Sequence, residues 1–559
     1  MEDRPASVSS PTPRHRGRRI LLWFLLVLVI LGAGAFIAAD FYLHRAAPIL
    51  RARIIDTLST RFDSRVELDR FDVSVLRGFE VSGGGLKIYP NNLDMDAPLF
   101  SVERFSFHTG WQGLFHSPTH IGQVQISGLG INMPPKDQRK GMPKLQKPGE
   151  EAHKRKIEVV VDELLINNAT LILKTDKPGK IPLEFDIASL RLTSVGAGQP
   201  MHFHAILTNP KPVGNIDTTG SFGPYVTASP GDTPVAGVYD FSHADLNSIK
   251  GIGGMLSSTG KYQGTLNSIV VDGQTDTPNF SLDTANHPMP LHTNFHAIVD
   301  GTNGDTYLQP VDATLGHSHI LAKGDVVRAE GGRGHDIHLD VTVDHANIAD
   351  MLQLGVKTEP PLMTGALKLQ TKLYLPPGKV RVTDKLHLQG TFQITNAHFT
   401  NPKIQGKVDQ LSLRAQGKPK EANQESKGGE AANEASTMQG EFALGDSKLT
   451  ISHLVYTVPG ANIAMDGVYS LDGKQFDFHG KARLDAHVSQ MVTGWKSALL
   501  KLADPFFAKN GAGTEVPISV TGTNSEPHFG LDFGHKDKEK NGNPPQQQGG
   551  TPPPAQPQQ

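Results

Sequence analysis

Two pairs of histidines are the residues of this chain whose spacing best suits chemistry. His202 with His204, and His317 with His319, stand two apart, and on a strand that spacing turns both imidazoles to one side, as two ligands of a metal ion would be. Neither pair has a third ligand close by in sequence, and the wet side of an alternating strand gives the same pattern. His335, His338 and His345 follow the same rule, as do Asp340 and Asp344 in HLDVTVDH, whose spacing strand geometry explains. GGMLSSTGKY has the outline of a phosphate loop, but five residues rather than four separate Gly254 from Gly260, and Tyr262 stands where the magnesium-binding hydroxyl belongs. Neither G-x-S-x-G nor H-E-x-x-H occurs. The expectation is a non-enzymatic chain with no metal and no cofactor.

The elements that hold these side chains are written in a period of two. In VELDRFDVSVLRGFEVSGGGLKIYP, Val66 and Leu68, then Phe71, Val73 and Val75, then Leu86 and Ile88 are apolar between polar neighbours. Val102, Phe105 and Phe107 continue the pattern, as do Val124, Ile126, Leu129 and Ile131. Alternation of this kind puts one face of a strand in an oily place and the other in water. The 58 glycines and 39 prolines among 559 residues suit many short strands joined by turns. A formal charge of −2 gives no basic field for nucleic acid. With no cysteine, the chain has no disulfide and no thiolate site and tolerates an oxidising compartment.

Residues 20–39, ILLWFLLVLVILGAGAFIAA, form an uncharged run of 20 residues, which as a helix spans about 30 Å, the thickness of a bilayer's hydrocarbon. Arg14, Arg16, Arg18 and Arg19 precede it and Asp40 follows, which keeps the N-terminus in the cytoplasm and exports the rest. Cleavage near Ala33-Gly34-Ala35 is the alternative, against which the run is longer than a signal peptide's apolar core. Beyond the span, Ile49, Leu50, Ile54 and Leu58 mark a helix with an apolar stripe.

The expected organisation is a basic tail at 1–19, the span at 20–39, a helix and strand region at 40–135, a polar loop at 136–156 and a central β region at 157–416. A disordered insert at 417–437, a β region with an amphipathic helix at 438–533 and a disordered Pro/Gln-rich tail at 534–559 complete it. The central region holds an echo: FSHADLNSIKGIGGMLSSTGKYQGTL and VDHANIADMLQLGVKTEPPLMTGALKL, about 100 residues apart, share an HA dipeptide, a short apolar helical run and a Gly-x-Leu at the start of the next strand. DAHVSQMVTGWKSALLKLADPFF predicts a third, longer helix with Val488, Met491, Val492, Trp495, Leu499 and Leu502 on one face. Two packed sheets with a closed core would produce all this alternation, and so would one curved sheet whose apolar face stays open to a long hydrocarbon chain. Periodicity does not choose between them.

The opening LSTRFDSRVELDRFDVSVLRGFEVSGGGLKIY, then LHLQGTFQITNAHFTNPKIQGKVDQLSLRAQG, FALGDSKLTISHLVYTVPGANIAMDGVYSLDGKQFDFHGKARL and VPISVTGTNSEPHFGLDF, in that order after one span, resemble the AsmA family of periplasmic proteins anchored in the bacterial inner membrane. The resemblance implies a mainly β chain: a transmembrane helix, then an elongated, twisted β-groove with a few short helices, related to bridge-like lipid-transfer proteins. It implies phospholipids as partners, a role in lipid transport to the outer membrane and its assembly, and outer-membrane or assembly proteins as further partners. Val66, Leu68, Val73, Val75, Leu86, Ile88, Val124 and Ile126 would line the groove. The alternative is a periplasmic scaffold for outer-membrane proteins.

Overall fold

In the computed structural model, the described residues are 48–60, 63–74, 79–91, 96–110, 119–134, 159–174, 182–196, 199–226, 229–329, 334–357, 359–378, 380–425, 436–472, 475–493, 501, 504, 513–523 and 526–531. The fold is mainly β, with a long twisted sheet and few short helices. Among the described residues no helix is long and apolar enough to cross a membrane; the expected span at 20–39 lies outside them, as do the polar loop at 136–156 and the tail. The chain divides into two compact units, Met1–Asn401 with Glu441–Leu449, and Pro402–Gly440 with Thr450–Gln559.

The first unit begins with helical residues 48–60, where Ile54, Ile55 and Leu58 are half-buried while Ile49 is 66% exposed. The buried stripe therefore starts one turn later than the sequence suggests. Arg51 donates from its guanidinium to the backbone oxygen of Leu68, tying this helix to the first strands. These are β1 (Ser64–Glu67), β2 (Arg70–Ser74), β3 (Phe79–Pro90), β4 (Phe100–Thr109) and β5 (Thr119–Met133). Next come β6 (Val159–Leu173), β7 (Leu183–Gly196), β8 (Met201–Pro210), β9 (Val213–Phe222) and β10 (Pro234–Asp245). The short β11 (Ile252–Gly253) precedes β12 (Met255–Thr265), β13 (Ser268–Leu282), β14 (Met289–Val299) and β15 (Thr306–Leu315). β16 (Ser318–Arg328), β17 (His335–Asn347), β18 (Met363–Leu375) and β19 (His387–Phe399) continue the sheet.

β1 and β2 both pair antiparallel with β3, and from β3 each strand pairs antiparallel with the next, apart from the skip over β11 and the parallel pair β5 and β6. A parallel pair needs a connection that carries the chain back to its starting end, here across about 45 Å for a 15-residue strand. The break in antiparallel order explains why a long polar stretch interrupts the alternating sequence at this point.

From β3 to β7 the alternation resets along one line. Apolar residues two apart become three apart at Gly83 and Leu86, at Phe105 and Val102, at Ile126 and Leu129, at Ile166 and Ala169, and at Leu190 and Ile187, and these positions face one another across the strands. Gly85, Gly128 and Asn168 take positive φ there (69°, 66° and 55°), the left-handed conformation open to glycine and tolerated by asparagine. An extra residue at such a site bends a strand, and it keeps the apolar side chains on one face past the bend.

The echoed segments fold unequally. ADMLQLG forms the helix Ile348–Gly355, with Asn347 as its N-cap, but ADLNSIK makes only the 3-10 turn Leu246–Ser248. Asp350 anchors the longer one: its carboxylate accepts from the Ser318 hydroxyl at 2.7 Å and the His317 amide at 2.9 Å. Both lie at the strand end where Leu315, Val343, Leu367, Ile394 and Ala397 are buried.

The second unit corrects the expected β region at its boundary. IQGKVDQLSLRA, read as strand, belongs to the helix Pro402–Ala415; Ile404, Val408 and Leu411 recur at helical spacing, and proline is well tolerated at the first turn. The insert read as disordered over 417–437 holds the helix Pro419–Glu425 and the start of β20 (Ser436–Gly445). Its composition is polar, but Ala422 is fully buried. After β21 (Lys448–Val458), antiparallel β22 (Ala461–Ser470), β23 (Phe476–Leu484), β24 (Thr514–Gly522) and β25 (Pro527–Leu531) continue the sheet in this unit. The helix Pro402–Ala415 packs against β22, with the Ser412 hydroxyl donating to the Pro459 oxygen at 2.9 Å. Ile463, Met465, Ala482 and Leu484 are closed over, and burial pushes the Tyr456 phenol up to about 12. Of the third predicted helix only the 3-10 turn Val488–Gln490 is described over 487–493; Trp495 and Leu499 lie outside the described residues.

Candidate functional site

Strand register in the first unit places the apolar residues of β1 to β19 on one continuous face. Val66 sits opposite Ile88, Val81 opposite Phe107, Phe105 opposite Ile126, Ile126 opposite Ile166, and Ile166 opposite Leu190. The line continues through Ala205, Thr218, Tyr239, Gly260, Gly273, Phe295, Val311, Ala322, Val341, Thr371 and Gly390. Residues paired directly across an antiparallel ladder share a face, so the surface is set by register alone.

This face is dense at its margins and half-open along much of its middle, where Ile166, Ala205 and Thr371 are nonetheless buried. Val73 is 1% exposed and Val343 1%. Leu164, Leu190, Leu192, Phe203, Val271, Phe295, Val311, Leu339, Val341, Leu369 and Leu373, by contrast, are only half-buried. A sheet packed on another sheet fills the space above such residues to the density of an organic crystal. Here that packing is incomplete along the mid-strand rows, in contrast to the closed sheet of the second unit.

Glycines lower the middle of the face. An added Cβ would lie 2.4 Å from the Phe105 ring at Gly83, 2.9 Å from Phe203 at Gly220, 2.6 Å from the Phe295 ring at Gly273, and 2.6 to 2.7 Å from the Tyr262 phenol at Gly237 and the Tyr239 phenol and ring at Gly273 and Gly260. Each of these rings lies down across a strand instead of standing off the sheet. The floor is therefore shallow and smooth where Leu or Val in place of glycine would raise it.

Across β9 to β14 the face also carries hydroxyls. The Tyr262 phenol meets Thr218 Oγ1 at 2.9 Å, Tyr239 meets Ser258 Oγ at 3.0 Å, and Thr275 meets Thr293 at 2.6 Å. Burial raises the Tyr262 pKa, against a smaller lowering effect of Thr218.

The opposite face is charged. The cross-strand pairs His120–Asp162, His204–Asp217, His292–Asp276, His296–Asp272, His319–Asp312 and His338–Asp325 lie between 2.7 and 3.2 Å apart and are solvated. His204 and His319 thus each meet a carboxylate, and among the described residues no three His, Asp or Glu groups are arranged to hold a metal ion. The GGMLSSTGKY segment runs through β11 and β12, not into a helix, so its backbone does not form a phosphate cradle.

Six of the expected lining residues, Val66, Val73, Leu86, Ile88, Val124 and Ile126, fall on the apolar face. Val66, Val73 and Ile88 are buried there, whereas Leu86, Val124 and Ile126 are half-buried. Leu68, 2% exposed, lies between β1 and β2, and Val75 is outside the described residues. The half-open stretch of β7 to β18, with its aromatic–glycine pairs and hydroxyls, was missed. Its signal in the sequence is a glycine set among alternating residues two positions from an aromatic, as in GVYDF and GKY. No protein-family model matches this chain, and neither the curated proteins nor the solved structures provide a match.

Proposed function

We propose that the chain is a non-enzymatic envelope protein of the AsmA type, anchored in a bacterial inner membrane with its bulk in the periplasm. It would bind phospholipid acyl chains in an elongated, twisted β-groove and support lipid transport towards the outer membrane. The observation that carries this reading is the continuous apolar face of β3 to β19, half-buried along much of mid-strand and backed by a face that is mostly polar, with Ile206, Val238 and Leu321 exposed among its charged pairs. Acyl chains are the matching occupant, because a ligand there must present an apolar surface over many strands. Removing a 16-carbon chain from water is worth on the order of 10 kcal/mol, at about 0.8 kcal/mol per methylene, while the headgroup keeps its water.

The test is site-specific photocrosslinking in cells. A benzophenone amino acid at Leu192, on the apolar face, is expected to capture phospholipid. The same group at the adjacent Arg191, which faces Glu163 on the polar side, is expected to capture none. Equal capture at both positions, or none at Leu192, would refute the reading.

A further inference from the structure

The hydroxyls of β9 to β14 interrupt an otherwise apolar face, and their hydrogen bonds have a direction. Thr218 Oγ1 donates its one proton to the Val238 oxygen at 2.9 Å, and Ser258 Oγ donates its own to the Gln274 oxygen at 3.0 Å. A hydroxyl has a single proton to give, so Tyr262 must donate to Thr218 and Tyr239 to Ser258. Each phenol oxygen then has no proton left to offer a ligand and can only accept, and both lie on the apolar face over strand positions left clear by Gly237, Gly260 and Gly273. Five neighbouring strands with four spacings make this belt about 19 Å wide, comparable with one extended acyl chain. The strands on either side, β3 to β8 and β15 to β19, carry one hydroxyl, Thr371, at the corresponding mid-strand positions.

We propose that this belt is a headgroup-selective station within the acyl-binding face: it holds the polar end of a lipid whose headgroup donates hydrogen bonds, while the chains rest on the apolar strands beside it. The inference rests on the lipid-binding reading above and adds a choice among lipids to it. Two phenol acceptors with no proton of their own to offer favour an ammonium or hydroxyl headgroup over a trimethylammonium one, because only the former can satisfy both phenol oxygens; the Thr275–Thr293 pair beside them uses one hydroxyl proton between its two members and keeps the other. The aromatic rings beneath add attraction for an ammonium over a glycerol headgroup.

The experiment uses the full chain, incubated with vesicles of equal parts phosphatidylethanolamine, phosphatidylglycerol and phosphatidylcholine of identical chains, with retained lipid quantified by mass spectrometry. The expected result is enrichment of the two donor headgroups over phosphatidylcholine by about two- to tenfold, the worth of one net hydrogen bond. Tyr239→Phe with Tyr262→Phe should bring the three to parity. Ser258→Ala is the second variant: it frees the Tyr239 proton, turns that acceptor into a donor, and should also reduce the enrichment. Retained lipid with no headgroup preference, or a preference that both variants leave unchanged, would overturn the station and leave the acyl-binding reading standing. Retention of no lipid at all would overturn both.

Discussion

At the scale of single residues, burial separates side chains that build the sheet from those that face its open side. Val73 and Val341 are both valines on the same apolar face, yet Val73 is 1% exposed and Val341 is half-buried. A carboxylate forced onto a closed site has lost its water and has no partner there. Val73→Asp is therefore expected to cost about 3 kcal/mol or more, and Val341→Asp about 1 kcal/mol, a difference read directly from denaturant midpoints. Equal large losses would mean that the mid-strand rows are closed core. The sequence does not make this distinction, because alternation reports which side a residue faces but not how tightly that side is covered. Val66, Val73 and Ile88 were accordingly legible as members of the apolar face, but not as its packed margin. The glycines opposite Phe105, Phe203 and Phe295 were equally hard to read, since a ring and its glycine meet across strands and register is invisible in a single sequence.

At the scale of elements, most strands of the first unit were legible from period two alone, and the helix Pro402–Ala415 was not. Its segment has Gly406 and few large apolar residues, so a helical period competed with the strand patterns on either side. The reset of alternation along Gly85, Gly128 and Asn168 was visible as a spacing of three in Ile126 and Leu129, but its alignment across β3 to β7 depends on register. The parallel pairing of β5 with β6 was not legible at all. Glu163 ties that pair together: it accepts from Gln123 of β5 at 2.6 Å and from Arg191 of β7 at 2.7 Å. The Gln123 hydrogen bond, followed by the charge and hydrogen bond of Arg191, holds the Glu163 carboxyl below its ordinary value against the opposing effect of burial. A lowered folded-state pKa means that this contribution is present above the ordinary glutamate range and is lost as the pH falls through the folded value. The stability gap between the wild type and Glu163→Gln is thus expected to close on acidification from neutral pH, as followed by unfolding midpoints. A gap independent of pH would mean that the clamp adds nothing to the parallel pair.

At the scale of the whole molecule, the two units use the same alternating strands to different ends. In the second, a helix covers β22 and the apolar residues are shut in. In the first, most large apolar residues of mid-strand, Leu164, Leu190, Phe295 and Val341 among them, remain half-buried. The proposal of a lipid ligand rests on the half-open apolar face of the first unit, read from register and exposure. Native mass spectrometry of the full chain, gently extracted from a Gram-negative envelope, tests that claim most directly. The account predicts stoichiometric phospholipid on the wild type, lost in a folded Leu192→Asp, Val341→Asp double variant. A stable wild type free of lipid, or a folded double variant that keeps its lipid, would contradict it.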